Sequence, residues 1–221
     1  MKGRVGQSEI IGVIAGTSVD TQFGLTFLEK NNIRGIGAPV SLTPQEQTEL
    51  QVLDKEVLTK IVSDKISDLE ERGATSIMIY CNSLSGAIDL GELQVRSSLP
   101  IVTPLDAYKA LSSRFQTFGV ISANCKSVAT IEHIILANNP RAKVIGMGNL
   151  QIVEDIEKQF SPEVIIKRHS LDQLVQAMTG SGVQTLVLGC THFDYIASSL
   201  SEQLRDISIF LPSEYMLDQL V

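Results

Sequence analysis

Two cysteines stand where this chain could do chemistry. Cys190 closes the run Leu186-Val187-Leu188-Gly189 and is followed by Thr191 and His192; Cys81 closes Ser76-Ile77-Met78-Ile79-Tyr80 and is followed by Asn82 and Ser83. Short runs rich in Val, Ile and Leu read as buried parallel strands, and open α/β sheets bind ligands at the edge where such strands hand over to helices. A thiol at a helix N-terminus feels the positive end of the helix dipole, which draws its pKa below the free value of roughly 8.5 and favours thiolate. The N–H groups of Asn82 to Leu84 and of Thr191 to Phe193 would then be free to hold a carboxylate. Two such bases facing each other across a cleft could take a proton from one face of a carbon and return one to the other. Cysteine is also among the residues most often buried for packing alone; it is the recurrence in matching places that favours chemistry.

The other reactive residues carry weaker signals. Cys125, in Ser122-Ala123-Asn124-Cys125, has no counterpart and reads as incidental. His192 could donate to a substrate or to the thiol two residues before it, and it equally fits a helix surface. His133 and His169 fall in helical runs and read as solvated. Thr17, Ser18, Asp20 and Thr21 place hydroxyls and a carboxylate at the first sheet edge. Their stretch lacks the glycine pattern of a dinucleotide site and the lysine of a P-loop, and simple helix capping would also explain them.

The elements that must position these residues follow from periodicity and breakers. Residues 9–15 read as a strand, 16–31 as a turn and helix, and 33–38 as a strand. Thr43-Pro44-Gln45-Glu46 combines a cap, a first-position proline and a capping-box glutamate. Helical spacing then runs to about Arg72, with a break near Asp54 and a stop at Gly73. The Cys81 strand, a helix over 83–91 and a short strand between Pro100 and Pro104 follow. The pattern then restarts, with a strand and helix over 117–139 and a strand over 143–148. Helix starts at Ser161-Pro162 and at Ser170, the Cys190 strand, a short strand over 207–212 and a final helix complete it.

Offsets reveal the repeat. Gly12-Val13-Ile14 recurs as Gly119-Val120-Ile121 after 107 residues, Ile36-Gly37 as Ile145-Gly146 after 109, Cys81 as Cys190 after 109, and Ile101-Val102 as Ile209-Phe210 after 108. The spacing predicts two pseudo-symmetric α/β lobes, each with a central, mostly parallel sheet flanked by helices. The first takes residues 1–100, completed by 207–221, and the second takes 101–206, with both cysteine-bearing strand ends facing one cleft.

Composition narrows the function classes. A chain of 221 residues, 43% hydrophobic and 19% charged, has ordinary globular balance. No apolar run approaches the ~20 residues of a membrane span, and the start lacks a signal core, so a soluble cytoplasmic protein is expected. A net charge of −7 without a basic tract argues against nucleic acid. Three cysteines without a Cys-x-x-Cys pair suit neither a disulfide framework nor structural zinc, and no metal is expected. A homodimer is the base-rate assembly.

Taken together, Gly12 to Val19, Cys81-Asn82-Ser83, Phe118 to Val128 and Leu188-Gly189-Cys190-Thr191-His192 resemble the aspartate/glutamate racemase superfamily over nearly the whole chain. The resemblance implies a pseudo-symmetric two-lobed fold, a substrate between the lobes, and racemisation by two cysteines with no cofactor, pyridoxal phosphate included. Position by position it implies Cys81 and Cys190 as acid/base thiols and Asn82, Ser83 and Thr191 as a carboxylate cradle. It implies His192 as the histidine after the second thiol and Glu154 as an acidic helper, with Thr17, Asp20 and Asn124 completing the candidate substrate site. Departures bear on substrate. Glutamate racemases carry Asp-Ser-Gly where this chain has Ala15-Gly16-Thr17, so the carboxylate that holds the substrate ammonium is missing unless Asp20 replaces it. Asn124 and Ser127 stand where the second-lobe threonines belong, and the Gly-Gly-Met-Gly signature of aspartate racemases is absent. The expected function is racemisation of a small acidic amino acid, aspartate, glutamate or a similar one, by two-thiol proton transfer across the cleft between the lobes. An isomerase, decarboxylase or hydantoin racemase of the superfamily, or a non-catalytic binder of an acidic metabolite, stays open.

Overall fold

Continuous apolar runs become the inner strands, and polar breakers with good caps start the helices between them. The computed structural model describes residues 9–50, 52–204 and 207–221. Its first half contains β1 (Ile10–Ala15), α1 (Ser18–Lys30), β2 (Arg34–Pro39), α2 (Pro44–Leu50), α3 (Lys55–Glu71), β3 (Ser76–Ile79), α4 (Asn82–Ala87), α5 (Leu90–Arg96), β4 (Ile101–Val102) and α6 (Pro104–Ser112). The second contains β5 (Thr117–Ser122), α7 (Cys125–Asn138), β6 (Lys143–Gly148), α8 (Leu150–Glu157), α9 (Pro162–Arg168), α10 (Leu171–Gly180), β7 (Thr185–Leu188), α11 (Asp194–Gln203), β8 (Ser208–Phe210) and α12 (Pro212–Asp218). A one-turn 3-10 segment, Thr191–Phe193, joins β7 to α11.

Two four-stranded parallel sheets result, ordered β2-β1-β3-β4 and β6-β5-β7-β8. Corresponding strands share a register: Gly12 lies opposite Ile36 and Ile77, and Gly119 opposite Ile145 and Leu186. The internal repeat is therefore a repeat of topology.

Local chemistry sets the helix boundaries. Asp54 accepts the Glu56 N–H at 3.0 Å and starts α3 afresh after α2, while Gly73, at φ +94°, supplies the left-handed turn that stops it. The single helix predicted over 83–91 is two, because Ile88 is extended and Asp89 caps α5. Helices α6 and α8 are additional to those the pattern predicts. His169 corrects another expectation: its side chain is 7% exposed and its Nε2 lies 3.0 Å from Asp155 Oδ2, a carboxylate that Arg168 also meets.

The ends of the two sheets exchange helices. α6 leaves the first sheet and packs Tyr108 and Leu111 among Phe118, Val120 and Ile131 of the second lobe. α12 leaves the second and packs Met216 and Leu217 among Ile11, Val13, Met78 and Tyr80 of the first. The expected return of residues 207–221 to the first lobe is corrected at the strand, since β8 pairs with β7, and β4 likewise pairs with β3. Each crossing falls at a proline, Pro104 or Pro212, which opens the following helix. Among the described residues no helix is long and apolar enough to cross a membrane.

Candidate active site

The C-terminal ends of β3 and β7 deliver Cys81 and Cys190 to one cavity, shared with Asp20, Asn82, Ser83, Asn124, Ser127, Thr191 and His192. Leu150 and Val153 of α8 form its apolar side. Both thiols are buried, Cys81 3% and Cys190 8% exposed. The cavity measures about 20 Å³, room for roughly one water, so anything larger needs the lobes to part before it enters.

Each wall is held by its own lobe. Thr17 caps α1 by accepting the Asp20 N–H at 3.1 Å, which carries Asp20 inward. Asn124 caps α7 by accepting the Ser127 N–H at 2.8 Å. A Cβ on Gly148 would lie 2.3 Å from the Asn124 carbonyl carbon and 2.4 Å from the Cys125 nitrogen, so only glycine lets β6 pass beneath that cap. The Tyr108 hydroxyl donates to Asn82 Oδ1 and fixes the amide, whose buried Nδ2 has no partner among the described residues.

A buried charge network backs Cys190. His192 Nδ1 lies 3.8 Å from Cys190 Sγ and 3.3 Å from Asp20 Oδ1, while Nε2 lies 2.9 Å from Glu157 Oε1. Thr17 Oγ1 donates to the same Glu157 oxygen at 2.7 Å, and Thr191 Oγ1 reaches Asp20 Oδ1 at 3.0 Å. Burial pulls the His192 pKa down, but Asp20, Cys190 and Glu157 outweigh it and hold the imidazolium well above its usual range. Burial raises the Asp20 pKa against the opposing pull of His192 and Thr191. Burial, followed by the field of Asp20, pushes the Cys81 thiol up to about 12, which corrects the lowering expected of a cysteine at a helix N-terminus. The two sulfurs therefore meet different surroundings: Cys81 holds a proton, and Cys190 has a cation beside it. Such a pair is equipped to give a proton from one wall and accept one at the other. Among the described residues no cluster of His, Cys, Asp and Glu is arranged to hold a metal ion.

Of the thiols and substrate-site residues that the resemblance implies, all but Thr17 and Glu154 line this cavity. Thr17 is tied instead to Glu157, and Glu154 of α8 accepts from Gln45 Nε2 of α2 at 3.2 Å outside the cavity lining. The carboxylate that reaches the network is Glu157, which sequence reasoning missed. Leu150, Val153, Glu154 and Glu157 fall at i, i+3, i+4 and i+7 of α8 and share one stripe, so spacing alone does not choose between the two glutamates; the contact with His192 does. Cys125 is exposed at the start of α7 and outside the cavity lining.

Two lobes of identical strand order, with a thiol at the matching strand end of each, define a pseudo-symmetric two-lobed α/β protein. The same architecture recurs in glutamate racemase from Francisella tularensis, solved in complex with D-glutamate, at TM-score 0.70 and 20% identity over 96% of this chain and 81% of that one. It recurs in allantoin racemase from Klebsiella pneumoniae at TM-score 0.72 and 14% identity over 96% of this chain and 86% of that one. Residues 34–214 match the Asp/Glu/Hydantoin racemase family, and the chain belongs to that family. In sequence it is 28% identical to glutamate racemase of Deinococcus radiodurans over 163 residues, 68% of this chain and 53% of that protein. The chain thus spans about half the length of that relative.

Proposed function

We propose that this chain is a cofactor-independent racemase of a small acidic amino acid of the aspartate or glutamate class. One observation carries the reading: two buried thiols from equivalent strand ends border a single cavity that also offers an unpartnered amide donor, Asn82 Nδ2. Cys190, beside the His192 cation, acts as the base that takes the α-proton of one enantiomer, and the C–H electron pair delocalises into the carboxylate. Asn82 Nδ2, together with the Ser83 hydroxyl, stabilises the charge that develops there. Cys81 then delivers its proton to the opposite face and becomes the thiolate; the other enantiomer reverses the roles. Asp20 stands in for the carboxylate missing at position 15 as the partner of the substrate ammonium. The same reading makes the protein a cytoplasmic homodimer, and sedimentation tests the assembly.

The test is a screen of L- and D-glutamate, L- and D-aspartate and 5-substituted hydantoins for deuterium incorporation at the α-carbon in D₂O. Exchange is expected with an acidic amino acid. Exchange confined to hydantoins would move the substrate class, and none at all would overturn the racemase reading.

A further inference from the structure

Directly behind the thiols, the two lobes are joined by a polar contact that the proton-transfer scheme does not use. Tyr80, the residue before Cys81, is fully buried and donates its hydroxyl to Asp194 Oδ2 at 2.6 Å. Asp194 opens α11, four residues after Cys190. The Tyr80 backbone is fixed at both ends: its N–H donates to Ile14 O at 2.7 Å, and its carbonyl accepts from Thr191 Oγ1 at 3.2 Å. Tyr80 therefore touches the second lobe twice, once beside Cys190 and once a turn later.

The ring itself has little freedom. Phe27 stacks on it at 6.4 Å and 28°, and α1 comes so close that a Cβ on Gly24 would lie 3.2 Å from two ring carbons. Met216 and Leu217 of the crossing helix α12 close the same pocket. On the far side, Asp194 Oδ1 and the Ser213 hydroxyl of α12 are both buried and make no hydrogen bond of good geometry among the described residues, although the hydroxyl is near enough to favour the ionised carboxyl. Burial of poorly paired polar atoms beside one short, strong hydrogen bond is costly for stability alone. It is understandable where geometry is being held.

We propose that Asp194 is a positioning residue that acts through the Tyr80 hydroxyl to hold the strand end carrying Cys81 in register with the turn carrying Cys190. The inference rests on the two-thiol reading above. Inversion needs both sulfurs placed at once, one on each face of the α-carbon, whereas proton abstraction followed by return to the same face needs only one. Loosening the contact should therefore separate the two events. A purely structural role would lower both together.

The experiment uses the full chain with Cys125→Ser, which removes the exposed thiol outside the cavity. Deuterium incorporation and net inversion are measured for D-glutamate, or for whichever acid the exchange screen identifies. For Tyr80→Phe, inversion should fall about 10- to 100-fold while exchange falls much less, because misplacement of a reacting group by about 1 Å costs factors of this size. Asp194→Asn keeps an oxygen acceptor for Tyr80 and should keep the wild-type ratio of inversion to exchange; Asp194→Leu should behave as Tyr80→Phe does. A second readout needs no substrate. Bridging of Cys81 to Cys190 by dibromobimane, measured by mass spectrometry, should drop relative to single-thiol adducts in Tyr80→Phe and Asp194→Leu, but not in Asp194→Asn. An unchanged bridging yield, or inversion and exchange falling in equal proportion, would overturn the proposal. So would Asn and Leu at position 194 behaving alike, which settles the matter should Tyr80→Phe not fold. If no acid exchanges at all, the racemase reading fails, and the bridging result still decides the role of Asp194.

Discussion

Replacing Asp194 by Asn should change how stability depends on pH, by an amount the structure supplies. Burial raises the Asp194 pKa from 3.8 to about 6; the Tyr80 and Ser213 hydroxyls oppose the rise, and the fields of Asp20 and Glu214 add to it. The folded state therefore keeps this proton to higher pH than the unfolded state does. Between the two values the unfolded chain binds fewer protons, so wild-type stability falls as pH rises from about 4 through 6 and then levels off. The shift is 6 − 3.8, or about two units, which at 1.36 kcal/mol per unit is about 3 kcal/mol in the limit. Because titration of the unfolded carboxyl has begun by pH 4, the part seen between pH 4 and 8 is about 2.5 kcal/mol. An amide at this position has nothing to titrate, so the stability of Asp194→Asn relative to wild type should grow by that amount over the interval. For a chain of this size that corresponds to a change in the difference of thermal midpoints of about 5–10 °C. Urea unfolding of both proteins at several pH values between 4 and 8 is the assay, and groups common to both cancel in the difference. A stability difference flat with pH, or one that shrinks as pH rises, would refute the argument that this carboxyl is held protonated by burial.

Other perturbations follow from the same network. Glu157→Leu removes one of the two carboxylates flanking the His192 cation and strands the Thr17 hydroxyl; it should cost about 2–3 kcal/mol in chemical denaturation, while Glu157→Gln should cost less. The raised His192 pKa means that its contribution is complete below about pH 6.5 and fades as pH rises through the folded value. In Glu157→Leu the fading should begin at lower pH, readable from the imidazole resonances; an unchanged His192 titration would show that Glu157 does not hold the proton there. Gly148→Ala drives a Cβ into the backbone of Asn124 and Cys125, and should destabilise by about 1–3 kcal/mol and weaken ligand binding through the displaced Asn124. A thermal midpoint equal to wild type would contradict that packing.

Much of the fold could be read because it depends on local patterns that occur twice. Gly12 and Gly119, Ile36 and Ile145, and Cys81 and Cys190 keep one spacing, and those landmarks fall on matching strands or strand ends of identically ordered sheets. Other features depend on packing that spacing does not encode. The helix exchange between lobes turns on where α6 and α12 pack after strands only two and three residues long. Glu157 rather than Glu154 meets His192 although both lie on the stripe of α8 that carries Leu150 and Val153, a choice made by where α8 packs and not by spacing. Tyr80 and Asp194 lie 114 residues apart, and no local pattern joins them. Ala15 illustrates a limit of alignment: it is fully buried among Ile11, Val13 and Met78, while Asp20, one turn into α1, reaches the cavity instead.

The central claim, that one of Cys81 and Cys190 takes the substrate's α-proton while the other delivers its own proton to the opposite face, is tested most directly by Cys81→Ser, Cys190→Ser and Cys125→Ser assayed side by side. Serine keeps the shape and is a far weaker acid/base at neutral pH, so racemisation should fall by about three orders of magnitude or more in both directions for the first two. Circular dichroism should remain that of the wild type. Cys125→Ser should keep wild-type rates. Near wild-type racemisation by either Cys81→Ser or Cys190→Ser would contradict the two-thiol account outright.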